Sequence, residues 1–308
     1  MLADRPWTGP ARVLAGAALA TCTLAHGQSI EPRAYSPAPV GVNFLVLAYA
    51  NSRGGLAFDS SAPLTDPKLH VWGPVLGYAR TFALLGQLAK FDAILPYNRL
   101  SGSADFNGQP VTRQVEGLQD PLLRVSVNFI GNPAMDAADF RAYRQDLIVG
   151  GSLQVSVPLG QYDPQRLVNL GTNRWSFRPE IGVSKGAGPW VLEIAGGAIF
   201  STDNDDFFGG MRRHQDALYT GRANVIYNFR SGPWLSIDTI YFTGGRTALD
   251  GQPANDLQRN WRVGSTLALP VNARWSLKFN ASRGVSARTG NNFDLLGAAL
   301  QYRWGGGL

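Results

Sequence analysis

A chain of 308 residues with 44% apolar but only 16% charged residues is poor in charge for a soluble domain, where roughly a quarter is usual. Its net charge of +6 comes from Lys and Arg scattered singly along the sequence; nucleic-acid binding needs a clustered basic patch or helix face, so that role is not expected. The 36 glycines and the 11% aromatic content suit a β-rich wall better than a helical globule.

The first residues read as an export signal. Arg5 and Arg12 supply positive charge, VLAGAALATCTLA (13–25) is an apolar run too short to cross a bilayer as a helix, and Ala25 and Gly27 offer small residues for cleavage. Residues 1–27 are therefore read as a cleaved signal peptide, with Gln28 the first mature residue, and 28–39 as an N-terminal periplasmic segment. Losing Arg5, Arg12 and Asp4 lowers the net charge from +6 to +5. Cys22 is the only cysteine and lies in the signal, so the mature chain has no disulfides or thiolate metal sites. LATC (19–22) matches a lipoprotein box only loosely, because Thr21 is unfavourable before the cysteine, and lipidation is not expected. No other run approaches the ~18–20 apolar residues of a membrane helix.

From residue 40 the chain alternates with period two. RWSLKFNASR (274–283) sets Trp275, Leu277, Phe279 and Ala281 on one face against Arg274, Ser276, Lys278, Asn280 and Ser282 on the other. The same pattern opposes Trp175, Phe177, Ile181 and Val183 to Arg174, Ser176, Arg178, Glu180 and Ser184. It recurs in LLRVSVNF (122–129), GSLQVSV (151–157), YTGRANVIYNF (219–229) and WLSIDTIY (234–241). Strands are predicted at 40–50, 72–83, 86–97, 118–130, 145–157, 173–185, 189–201, 216–230, 233–244, 259–270, 273–285 and 292–304. The first three alternate poorly, which leaves counts of about ten to fourteen open.

Short links at 84–86, 186–188, 231–232 and 271–272 alternate with long ones at 51–71, 98–117, 158–172, 202–215 and 245–258. Outer-membrane barrels have this rhythm of tight periplasmic turns and long external loops. GNPAMDAADFRAYRQ (131–145) breaks it and is read as holding a short helix capped near Asp136. Trp190, Trp234 and Trp275 follow short turns, and Trp304 ends the last strand; Trp72, Trp175, Tyr219 and Trp261 border long links. Such rings are read as two interfacial girdles. Gly150–Gly151 and Gly196–Gly197, inside strands, are read as easing curvature or close packing. The fold class is all-β, with 40–308 a transmembrane antiparallel up-and-down β-barrel of about twelve strands, the Trp275 face in lipid and the Lys278 face inside. The end of the chain, with Ala298, Leu300, Tyr302 and Trp304 on one face, resembles the aromatic terminal strand read by the barrel-assembly machinery, although four residues follow the last aromatic.

VGVNFLVLAYA (40–50), NLGTNRWSFRPEIGVSK (169–185) and STDNDDFFGG (201–210) resemble the outer-membrane transporter family named for the MetA pathway of phenol degradation, and the likeness runs from Pro39 to Trp304. The resemblance implies an outer-membrane barrel with a role in moving small, often aromatic or hydrophobic, compounds. It brings no catalytic residues with it.

Candidate site residues follow from the inward faces. Lys90, Arg124, Arg174, Arg178, Arg222, Arg262, Lys278 and Arg303 are set against Asp92, Asp146, Glu180, Glu193 and Asp238. Charges inside a barrel select by sign, and the basic excess predicts mild anion preference in an open pore; the alternative is an ion-pair network filling a narrow lumen. Ingress is expected through loops 98–117, 158–172 and 202–215. In the third, Asp203, Asn204, Asp205 and Asp206 include carboxylates at alternate positions, which can chelate calcium, but Phe207 occupies the fifth position of an EF-hand loop and Phe208 stands where its sharp-turn glycine belongs, so no metal is assigned. Phe207 and Phe208 are candidates for docking a hydrophobic solute or for anchoring the loop. His70 and His214 are read as solvated loop residues, and no catalytic group or cofactor is expected. The expected partners are outer-membrane lipid, a small-molecule solute and the assembly machinery, with the protein a monomer in the Gram-negative outer membrane. A non-transporting structural or surface-interaction barrel is the alternative function.

Overall fold

The structure is a computed structural model and describes residues 32–55, 64–290 and 292–307. The expected signal peptide, 1–27, lies outside the described residues. Strands β1 (Val42–Gly54), β2 (Thr65–Leu84), β3 (Gln87–Phe106), β4 (Gln109–Leu118) and β5 (Leu122–Ile130) precede helix α1 (Ala137–Ala142). Then come β6 (Leu147–Ser156), β7 (Ser176–Ala187), β8 (Trp190–Ser201), β9 (Asn204–Phe207), β10 (Met211–Gln215), β11 (Leu218–Asn228), β12 (Trp234–Gly244), β13 (Thr247–Leu249), β14 (Gln252–Pro253), β15 (Gln258–Pro270), β16 (Trp275–Ala287) and β17 (Phe293–Gly305).

Twelve of these strands close into a barrel in the order β2-β1-β17-β16-β15-β12-β11-β8-β7-β6-β5-β3, and β3 pairs back with β2. They correspond one for one to the twelve strands predicted. The period-two pattern explains the closure. On the outer face Leu47, Ile194, Ile237 and Leu296 are 58%, 69%, 68% and 63% exposed, and their neighbours on that face are apolar too. A soluble surface rarely exposes an apolar patch beyond a few hundred Å². In hydrocarbon that face is solvated, and a closed sheet leaves no unpaired backbone edge.

The long links are more structured than the alternation predicted. β3 runs on to Phe106, turns through Asn107 and Gly108, both at positive φ, and returns as β4. Asn-Gly is the dipeptide that such two-residue hairpins favour. Links 202–215 and 245–258 contribute β9, β10, β13 and β14 to a separate four-stranded sheet. His70 and His214 therefore lie on β2 and β10 rather than in loops. In the long turn between β5 and β6, α1 forms where expected: Asp136 Oδ1 accepts from the backbone N–H of Ala138 at 2.8 Å and of Asp139 at 2.9 Å.

The described part of the segment read as periplasmic does not stay outside the barrel. Residues 33–38 enter the lumen at the short-turn end, and Arg33, Tyr35 and Ala38 are buried there. Leaving the lumen, the segment is pinned by Val40 N–H donating to Met135 O at 2.8 Å and by Thr81 Oγ1 donating to Pro39 O at 2.7 Å.

Candidate functional site: the barrel lumen

The interior has two unlike sides. On β1 the inward positions Val42, Phe44, Val46, Ala48 and Ala50 are apolar, as are the outward Leu45, Leu47 and Tyr49. This double apolar face is why the first strands alternate poorly. With Leu69, Val71, Val75 and Ala79 of β2, Phe293 and Leu295 of β17, and Leu100, Ile94 and Leu122 nearby, they form one buried cluster along the length of β1. From the long-loop end, segment 158–172 folds inward and adds Val168 and Leu170 to the same cluster. Asp120 holds that segment: Oδ1 accepts from Gly160 N–H at 2.9 Å and Oδ2 from Thr172 Oγ1 at 2.6 Å.

The other side carries the predicted charges, and most are engaged with one another. Asp92 accepts from Arg124 Nε at 3.0 Å and lies 3.5 Å from Lys90 Nζ. Glu180 accepts from Arg178 Nη2 at 3.0 Å and from Arg222 Nη2 at 2.6 Å. Glu193 accepts from Asn224 Nδ2 at 3.1 Å and from the backbone N–H of Arg33 at 2.8 Å. Asp238 accepts from Ser236 Oγ at 2.9 Å. Arg262 donates to Phe293 O and Ser282 Oγ and stacks 3.7 Å above the Phe293 ring, at the boundary between the two sides.

Three predicted residues lie towards the rims. Arg174 donates to Gln215 Oε1 at 2.5 Å near the long-loop end. Arg303 donates to Ala273 O at 2.6 Å, closing a short turn. Asp146 does not face the interior: it is exposed at the short-turn rim and pairs with Lys185, because it precedes β6 and escapes that strand's alternation.

The N-terminal segment fills the charged side. Tyr35 donates its hydroxyl to Glu180 Oε1 at 3.1 Å, and Asn128 Nδ2 donates to Tyr35 O at 3.2 Å. A Cβ at Gly150 or at Gly182 would collide with the Tyr35 ring, so these two in-strand glycines make its berth. Arg33 bonds Asn228 and stacks 4.7 Å above Trp234. Trp234 is thus an interior residue, 4% exposed, and not the girdle anchor expected; its position one before the outward Leu235 places it inside. Trp175, Trp190, Trp261, Trp275 and Trp304 are exposed on the outer face.

The acidic loop is occupied by its own cations. Asp203 takes two bonds from Arg212, at 2.9 and 2.5 Å, and lies 2.7 Å from His214 Nδ1; Asp205 is 3.2 Å from Arg212. The His214 hydrogen bond, aided by Arg212, holds the Asp203 carboxyl below its ordinary value. Asp206 donates its N–H to Asn204 Oδ1 at 3.1 Å. Phe207 is buried beneath Arg213 of the same link, and Phe208 meets Phe106 of the β3–β4 hairpin edge-on at 6.1 Å, a contact between the two links. His70 stacks on Trp72 at 4.2 Å and bonds Asn51.

Sequence reasoning missed Arg33 and Tyr35, since nothing in a turn-rich stretch before the first strand signals where it packs. The apolar inner lane did leave a signal, in the failed alternation of 40–50.

A known protein shares this architecture. An outer membrane channel from Pseudomonas putida F1 superposes with a TM-score of 0.73 at 22% identity, over 89% of this chain and 99% of that one. The transport unit of the autotransporter AIDA-I from Escherichia coli is more distant, with a TM-score of 0.49 at 7% identity over 88% of this chain and 92% of that one. A search of curated proteins found no match. The family model described as "Putative MetA-pathway of phenol degradation" matches residues 52–304, and the chain belongs to that family.

Proposed function

We propose that the protein is a passive outer-membrane channel for small apolar, often aromatic, solutes. The observation that carries this reading is the continuous apolar lane along the inner face of β1, flanked by β2 and β17. A porin for polar solutes has no use for such a lane, because water and sugars gain nothing from it. The family description, which names phenol degradation, supports the same class of solute, and the channel named among the structural neighbours supports a channel role. In this reading the ion-paired side is scaffold: most of its charges satisfy one another and seat the N-terminal segment, while the solute follows the lane. Lipid is the solvent of the outer face, the assembly machinery reads the terminal aromatic strand, and the barrel works as a monomer.

The test uses intact Gram-negative cells, since phospholipid vesicles are themselves permeable to apolar solutes and lipopolysaccharide is the barrier of interest. Cells producing the protein are expected to take up radiolabelled naphthalene several-fold faster than cells without it, with galactose uptake unchanged. Faster galactose uptake without faster naphthalene uptake would overturn the proposal in favour of a general porin. No change in either would favour a second reading, a non-transporting barrel, to which the N-terminal segment seated in the lumen also lends support.

A further inference from the structure

Lys278 stands apart from the other interior charges. It is 7% exposed, it projects inward from β16, and its Nζ has no hydrogen-bond partner among the described residues. The charges that act on it, those of Lys90 and Arg33, have its own sign. A buried ammonium left in this state is unfavourable, and proteins normally pair such a group.

Strand register shows what surrounds it. Lys278 lies opposite Ala268 of β15 and Ala299 of β17. Ala268 in turn faces Trp234, on which Arg33 stacks, and Ala299 faces Ala48, which faces Val75. Lys278 is therefore the one charge in a row of inward side chains running Trp234, Ala268, Lys278, Ala299, Ala48, Val75. The side chains beside it on the flank that adjoins the apolar lane are small and apolar, and they offer the buried ammonium no partner.

We infer that Lys278 is the anchor of an anion-binding site for small aromatic carboxylates. The carboxylate would accept from the Lys278 ammonium, with Arg33 and Lys90 adding attraction, and the ring would lie along Ala299, Ala48 and Val75. This deepens the channel reading by naming a solute class and rests on it for biological meaning. The chemistry shared with a bare inorganic or short-chain anion is the negative charge; what separates the two is the apolar row, which rewards only a ligand that carries a hydrocarbon body.

The experiment is equilibrium dialysis of the complete protein in lipid nanodiscs, with protein-free nanodiscs as background and radiolabelled benzoate, acetate and benzyl alcohol as probes. Benzoate is expected to bind at least about tenfold more tightly than acetate, which lacks the ring, or benzyl alcohol, which lacks the charge. Lys278→Met is expected to lower benzoate affinity by about tenfold or more, and Lys278→Arg to restore most of it. Equal binding of benzoate and benzyl alcohol, equal binding of acetate and benzoate, or a Lys278→Met protein that binds benzoate like the parent would each overturn the inference. The three-probe comparison on the parent decides the matter even where a variant does not assemble. Binding is read here without passage, so bound benzoate in a protein that fails the naphthalene test leaves the site standing and removes the channel reading; the converse result does the reverse.

Discussion

Neighbouring residues in this wall live in different solvents. Phe279 is 45% exposed on the outer face and Lys278 is 7% exposed on the inner one. Placing a charge on the lipid face near mid-membrane costs about 2–4 kcal/mol, whereas the interior already accommodates many polar groups. Phe279→Arg is accordingly expected to cut the yield of heat-modifiable, folded barrel sharply, and Lys278→Gln to leave it near the parent level. Similar yields would show that the two faces are wrongly assigned. The alternation of RWSLKFNASR made this pair legible from the sequence. It also contained the inward direction of Trp234, but the habit of assigning tryptophan after a short turn to the membrane interface hid it. Gly150 was legible as an unusual in-strand glycine; the ring it admits was not, because Tyr35 is over a hundred positions away in the chain.

At the scale of elements, the strands that face lipid were readable and the pieces that fill the interior were not. A strand announces itself by period-two contrast between its faces, and that contrast weakens on β1, where both faces are apolar. The N-terminal segment has no period at all: its place is set by Glu180, Glu193 and Asn128, each from a different barrel strand. Enlarging Gly182 tests its role. Valine suits a strand, so Gly182→Val is expected to assemble, yet its side chain would occupy the Tyr35 berth. Single-channel recordings in planar bilayers are expected to show higher conductance for this variant than for the parent. Unchanged conductance would mean that the Tyr35 ring does not limit the lumen. The external sheet makes a pH prediction. Because Asp203 titrates below its ordinary value when folded, the stability its ion pairs lend is present at neutral pH and above the ordinary carboxylate range, and is lost as pH falls through the lowered value. Protease accessibility of the segment around 203–214 is expected to stay flat through mild acidification and to rise only in strong acid.

The whole molecule combines a barrel built for lipid with an interior divided between an apolar lane and an ion-paired wall. The closed topology, strand number and outward face followed from composition, turn rhythm and alternation. The division of the interior did not, because it depends on which strands end up adjacent across a closed sheet: β2 follows β1 in the chain, but β1 gains its other apolar neighbour, β17, only when the first and last strands meet. Arg178 and Arg222 both lean on Glu180, so replacing both with Glu removes two cations from one cluster and leaves three carboxylates there. The reversal potential of that double variant under a salt gradient is expected to shift towards cations. An unchanged potential would place the ion path away from this wall.

The most direct test of the account is to put a charge into the lane itself. Val46 faces inward midway along β1, between Gln301 of β17 and Gly77 of β2. With Val46→Asp, naphthalene uptake by intact cells is predicted to fall to that of cells lacking the protein, while the barrel retains its heat-modifiable migration. Uptake at the parent rate through a correctly folded Val46→Asp barrel would contradict passage along the lane.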